Sequence, residues 1–113
     1  MRRRSKFNNQ PVDFDGYHFD SGFEYDRYRE LLLLRIAHDI SDLKVHPRFE
    51  LQPGFRKDGI YIRPIFYEAD FQYQDADGAV IVEDVKGFET ATWKLKEKMF
   101  WYRYPGTTLR VIK

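Results

Sequence analysis

Polar and apolar positions along the chain change period four times. Val12-Asp-Phe-Asp-Gly-Tyr-His-Phe19 alternates about Asp15-Gly16 and predicts a short hairpin with a tight turn. Ser21 with Glu24 three residues on has capping-box spacing, so a helix opens there. Tyr28, Leu31, Leu32 and Ile36 share its apolar stripe, and Asp26, Arg29 and Glu30 lie away from it. The helix is expected to reach His38 or Ile40, with Ser41–Lys44 as a connection. From Arg48 the pattern is extended. Arg48–Gln52 reads as a strand stopped by Pro53-Gly54, and Asp58-Gly59 as a turn. Ile60–Gln74 follows as one long aromatic and β-branched run, with Pro64 marking an edge or break. Within it Ile65, Tyr67, Ala69, Phe71 and Tyr73 face one way, and Phe66, Glu68, Asp70 and Gln72 the other. Ala79–Lys86 is the clearest strand. Thr90 or Thr92 opens a second helix with Leu95, Met99 and Tyr102 on one stripe, ending at Pro105-Gly106. Leu109–Ile112 is the last strand. The order is hairpin, helix, three strands, helix, strand: an α/β fold with a mixed β-sheet flanked by helices.

Length admits one domain, 13–113, behind a basic arm at 1–12; 113 residues leave no room for a second. With no cysteine, disulfides, thiolate metal sites and cysteine nucleophiles are excluded. The longest purely apolar stretches, such as Leu31–Leu34, are far too short to span a membrane. Met1–Lys6 is basic but leads into no signal-peptide segment, so a soluble cytoplasmic protein is expected. The net charge of +1 conceals segregation. Residues 1–6 carry +4 and residues 93–113 carry +5, whereas residues 68–90 carry −6. Basic ends around an acidic middle suit a protein that attracts phosphates and gathers carboxylates at one place.

The turn at 75–78 sets what those carboxylates meet. A three-residue loop with Gly78 left-handed pairs Asp75 with Ala79. Counting back along that ladder, Gln72 faces Val82, Asp70 faces Asp84 and Glu68 faces Lys86. A two-residue loop would instead put the aspartates on opposite faces. Opposed carboxylates about 5 Å apart need a shared proton or a cation. Mg²⁺ suits such a site, because it takes oxygen ligands from one or two carboxylates and substrate phosphate. Lys86 projects from the same face as Asp84, and Glu83 from the opposite one. Glu24 shares the inward helical face of Tyr28, Leu31 and Arg35, so it can cap the helix and also reach a metal-bound water. Lys94 and Lys98, one turn apart and flanked by Trp93 and Trp101, form a row suited to phosphates. His18, His38 and His46 have no metal-ligand spacing, and no phosphate-binding loop or nucleophile elbow occurs.

Helix glutamate, strand aspartate, then Asp84-Val85-Lys86 on the next strand resembles the PD-(D/E)XK nuclease core. Phe19–Tyr28, Pro47–Arg56, Tyr67–Phe71, Val82–Gly87 and Lys94–Phe100 also resemble a small phage and prophage family, domain-of-unknown-function family 1064. The resemblance implies a restriction-endonuclease-like fold and a Mg²⁺-dependent DNA endonuclease, with Mn²⁺ able to substitute. It implies that Asp70 and Asp84 ligate metal, that Glu24 assists through metal or water, and that Lys86 positions the attacking water. Lys94 and Lys98 would hold the scissile strand. Ala69 stands where the wider fold often has proline before the aspartate. With no separate recognition domain, a resolvase-like enzyme on branched phage DNA is expected, acting in the host cytoplasm and as a homodimer if it cuts two strands. The competing expectation is a DNA- or protein-binding module that has lost catalysis; intact Asp70, Asp84 and Lys86 argue against it.

Overall fold

The computed structural model describes residues 10–113, so the basic groups of the expected arm, Arg2, Arg3, Arg4 and Lys6, lie outside the described residues. Strands β1 (Val12–Phe14) and β2 (Tyr17–Phe19) form the expected hairpin about Asp15-Gly16. Val12 is therefore sheet rather than arm.

Helix α1 (Gly22–Ile36) is capped by Ser21, whose Oγ accepts the Glu24 N–H at 3.3 Å. Glu24 returns a bond one residue further back, its Oε2 accepting the Asp20 N–H at 3.3 Å. Tyr28 and Leu31 are buried as expected, but Ile36 is 72% exposed. The helix also stops short of His38, which has a left-handed φ of 63° and so breaks the helical path. Its last turn, with Arg35 and Ile36, lies at the surface instead of on the sheet.

The rest of the chain forms eight strands and a second helix: β3 (Ser41–Val45), β4 (Arg48–Gln52), β5 (Phe55–Lys57), β6 (Ile60–Ile62), β7 (Ile65–Glu68), β8 (Phe71–Gln74), β9 (Val80–Val85), α2 (Ala91–Arg103) and β10 (Thr108–Ile112). The central sheet runs β10-β9-β8-β3. Pairing is antiparallel from β3 through β8 to β9, and α2 crosses over to bring β10 in parallel to β9. The mixed sheet is thus present, but its first strand is Ser41–Val45, which the pattern assigns to a connection. As an edge strand with an irregular register and little burial, it needs no apolar alternation. Arg48–Gln52 belongs instead to a separate two-stranded ladder with β7.

Ile60–Gln74 is three strands, not one. Pro64 ends the first, and Ala69-Asp70 separates β7 from β8. The inward alternation survives, yet Tyr67 and Ala69 enter the core under α2 while Phe71 and Tyr73 enter the core under α1. Neighbouring Ile81 and Val82 of β9 divide between the same two cores, so the sheet is packed on both faces. Because β7 pairs with β4, Glu68 sits opposite Arg48 and remains exposed, and the expected Glu68–Lys86 pairing does not form.

The turn between β8 and β9 is the three-residue loop. Asp75 N–H donates to Ala79 O at 2.9 Å, and Gly78 has φ of 81°. Gln72 pairs with Val82 as counted. On α2, Thr90 is the cap and its Oγ1 accepts the Trp93 N–H at 3.0 Å. The buried face is Trp93 and Phe100; Tyr102, expected inside, is 86% exposed, and Leu95 is exposed too. Phe100 packs edge-on to Phe49 and Tyr67, and these aromatic contacts set the helix rotation. No helix among the described residues is long and apolar enough to cross a membrane.

Candidate active site

Two ladders part at one point, and the site lies in the fork. The His46 N–H donates to Asp70 O at 2.9 Å, and the Ala69 N–H donates to Pro47 O at 3.0 Å. These crossed bonds tie the exit of β3 to the entry of β8 just where β4 and β7 branch away. Asp70 lies one residue beyond the regular β8–β9 pairing and stays tied to β9 at both ends: its N–H donates to Glu83 O at 3.1 Å, and its Oδ2 accepts the Val85 N–H at 2.6 Å. His46 adopts a left-handed φ of 54°, and its ring is flanked by Tyr17 and Phe19 of the first hairpin. The first turn of α1 supplies Glu24, whose Oε1 lies 2.6 Å from His46 Nε2.

Glu24, His46 and Asp70 each offer one ligand atom, and these atoms lie within 4.8 Å of one another. Ligands about 2.1 Å from an octahedral ion are at most about 4.2 Å apart. Only a slight contraction, with loss of the Glu24–His46 hydrogen bond, lets the three side chains hold a divalent cation. The donor set of two carboxylates and an imidazole fits one. His46 is the residue that spacing alone misses: it gains its partners from α1 and from the link between β7 and β8, more than twenty positions away in sequence.

Asp84 stands beside Asp70 but outside that three-ligand set. Its Oδ2 accepts from Tyr67 Oη through a short hydrogen bond and from Trp93 Nε1 at 2.9 Å. Its Oδ1 lies 3.5 Å from Lys86 Nζ. Lys86 is tied to the last strand, its N–H donating to Ile112 O at 2.9 Å. The ammonium sits 5.5 Å from the Trp93 ring centroid, within cation–π range. Trp93 is thus a buried support for Asp84 and Lys86 rather than an exposed aromatic beside Lys94. Lys94 and Lys98 are exposed on α2 and form no part of the fork. Neither Tyr67 nor Trp93 stands out in the sequence as a partner of Asp84; the inward phase of Tyr67 is the one available sign.

Burial, then the neighbouring charges of Asp84 and Glu24, together push the Asp70 carboxyl up to about 9. The Tyr67 phenol is raised as well, by burial and then by Asp84. Asp70 has a stability consequence in metal-free protein. Between about pH 4 and 9 the folded chain keeps a proton on Asp70 that the unfolded chain releases. Stability therefore falls as pH rises through that window. Thermal melts in EDTA will show a midpoint that drops from pH 5 to pH 9, and Asp70→Asn will flatten the slope.

Glu83, on the other face of β9, is fully buried. Arg27 grips it with Nε at 2.7 Å from Oε1 and Nη2 at 2.7 Å from Oε2, and the Tyr73 hydroxyl donates to Oε2. This ion pair locks α1 to the central strand, directly behind Asp84.

No curated protein and no solved structure matches the chain. A family model described as a protein of unknown function, DUF1064, matches residues 4–113. That match takes in both ladders, the fork between them and nearly all of the sequence, and the chain belongs to the DUF1064 family.

Proposed function

We propose that the protein is a Mg²⁺-dependent DNA endonuclease of the PD-(D/E)XK type that acts on branched DNA. The observation that carries this reading is the meeting of Glu24, His46 and Asp70 as a ligand set beside the Asp84–Lys86 pair. The order along the chain supports it: Glu24 on α1, Asp70 at the entry of β8, Asp84-Val85-Lys86 at the end of β9 and then α2 follow the sequence on which the resemblance rests.

Glu24, His46 and Asp70 would hold the cation. When bound, it supplies charge that polarises a phosphoryl oxygen and acidifies the attacking water. Lys86 carries the fixed positive charge of the chain at this place, oriented by Asp84 and backed by Trp93. Its ammonium hydrogen-bonds the water or a phosphate oxygen and offsets charge that develops in the transition state. In-line attack at phosphorus then leaves a 5′-phosphate and a 3′-hydroxyl. Asp84 serves to fix Lys86 rather than to ligate the metal, since Tyr67 and Trp93 occupy one of its oxygens and the Lys86 ammonium lies against the other. Lys94 and Lys98 take flanking phosphates by charge. A homodimer would allow paired cuts, in the cytoplasm of a bacterial phage host.

The test is incubation of purified protein with labelled four-way junction, flap and linear duplex, in Mg²⁺, Mn²⁺ or EDTA. Metal-dependent cutting that is lost in Asp70→Asn is the expected result. Binding without cutting on every substrate would replace this reading with a binding module.

His46 gives the site a selectivity of its own. An imidazole nitrogen suits first-row transition ions better than it suits Mg²⁺. Calorimetric titration should show His46→Ala losing roughly tenfold in Mn²⁺ affinity, on the order of magnitude usual for disturbed ligand shells, and less for Mg²⁺. Unchanged affinity for both ions would remove His46 from the ligand set, and equal losses would remove the selectivity.

A further inference from the structure

Residues 47–69 form an arm inserted between β3 and β8, two strands that are neighbours in the central sheet. Its root is the fork of the site, and its lower half, the β4–β7 ladder, packs on α2 through Phe49, Leu51 and Tyr67. Its upper half is different. Every residue of β5 and β6 is exposed, with Phe55 paired to Ile62, Arg56 to Tyr61 and Lys57 to Ile60. A free two-stranded ribbon is marginal in water, and exposed Phe55, Ile60 and Tyr61 on it have no folding role that burial would reward.

The ribbon is also built to hold its shape. Tyr61 lies across Gly54 so closely that a Cβ there would clash with the phenol. This contact ties the Tyr61 ring of β6 to the chain entering β5. Residues 54–63 carry Arg56, Lys57 and Arg63 against Asp58 alone, a surplus of positive charge on a solvated element.

We propose that the β5–β6 ribbon is a DNA-contacting finger that enters the major groove of the duplex leading away from the cleavage fork. The proposal rests on the nuclease reading for the identity of the polymer. Its cations match phosphates, and a two-stranded ribbon fits the major groove, where apolar side chains meet thymine methyl groups. The tip at Asp58 lies twelve positions beyond His46, at most about 40 Å of extended chain. That reach is close to one turn of duplex, roughly 34 Å.

The experiment measures binding of a labelled duplex and a four-way junction by anisotropy over a salt series, with EDTA present to prevent cutting. Combined Arg56→Ala, Lys57→Ala and Arg63→Ala should weaken binding at least about tenfold near 0.1 M salt and reduce the log–log salt slope by about 2 to 3. Ile60→Ser should weaken binding several-fold and leave the slope alone. Hydrolysis of bis(4-nitrophenyl) phosphate, too small to reach the ribbon, should be unchanged in both variants, with unchanged circular dichroism. Wild-type protein that hydrolyses neither polymer nor diester, yet loses DNA binding in these variants, would support the finger and remove the nuclease. Unchanged affinity and slope in the triple variant would overturn the finger while wild-type cutting keeps the nuclease. A wild type that binds no DNA overturns it too. So does a dimer that Ile60→Ser dissociates without loss of DNA affinity, which would make the ribbon a contact between two copies of the chain.

Discussion

Lys86→Ala will lower metal-dependent DNA cleavage about a hundred- to a thousandfold, with DNA affinity and metal affinity little changed. The size follows from removing one pre-positioned charge from a developing oxyanion, an effect of about 3–4 kcal/mol in a water-poor site. Lys86 is suited to such a role because it is held, not because it is cationic. Asp84 Oδ1 anchors its ammonium, and Trp93 lies beneath it. Those supports also predict the control. Lys86→Met keeps the aliphatic stem on the indole and removes only the charge, so it should be as inactive as Lys86→Ala while melting closer to the wild type. Single-turnover cutting rates with metal titrations read both. Cleavage at the wild-type rate by the methionine variant would sink the assignment of Lys86 to the chemistry.

Arg27→Ala will destabilise the fold by about 3–5 kcal/mol, because it leaves Glu83 buried without its counter-charge. Against a typical stability of about 5–15 kcal/mol this is a large share. The pair is bidentate and the Tyr73 hydroxyl completes the network, so all three groups depend on one another. Burial, helped by the bond to Glu83, pushes the Tyr73 phenol up to about 12. Removing all the polar atoms together should be much milder than removing one. Arg27→Met with Glu83→Leu and Tyr73→Phe is expected to recover most of the loss, since an apolar replacement leaves no charge stranded. Urea denaturation of the single and triple variants measures both. A single variant within 1 kcal/mol of wild type would mean that the pair does not hold α1 to β9.

The two outcomes separate roles that adjacent residues of one strand carry. Glu83 and Asp84 are both buried acids, and alternation along β9 sends them to opposite faces. One is spent on structure under α1. The other faces α2 and the lysine. The acidic segment thus divides between the two faces of the sheet, which net charge alone does not reveal.

Much of this was legible without coordinates. Local chemistry fixed the elements it governs: Ser21 with Glu24 at the start of α1, Asp15-Gly16 in the first hairpin, and Asp75 to Ala79 in the loop that sets the β8–β9 register. That register placed Gln72 opposite Val82, because side-chain direction in a ladder is a matter of counting. The pairing ends at Phe71, however, so the expected ladder pair of Asp70 with Asp84 does not form, and Asp70 comes beside Asp84 only through the fork. Edge strand β3 escaped because exposure relieves it of the alternation by which strands are recognised. The stripe of α2 was misjudged because its rotation is set by Phe49 and Tyr67, residues about fifty and thirty positions earlier.

What the sequence determined by itself is therefore the first hairpin, the openings of both helices, the turn into β9 and the inward phase of the strands, and it singled out Glu24, Asp70, Asp84 and Lys86 as candidates. Only the tertiary structure decided where the long run breaks and which ladder each piece joins. It alone brought His46 to Glu24 and Asp70, and turned Tyr67 and Trp93 onto Asp84. The physical reason is range. Turns, caps and alternation are settled among residues a few positions apart, whereas these contacts join segments 9 to 24 positions apart in sequence and form only once both helices close on the sheet.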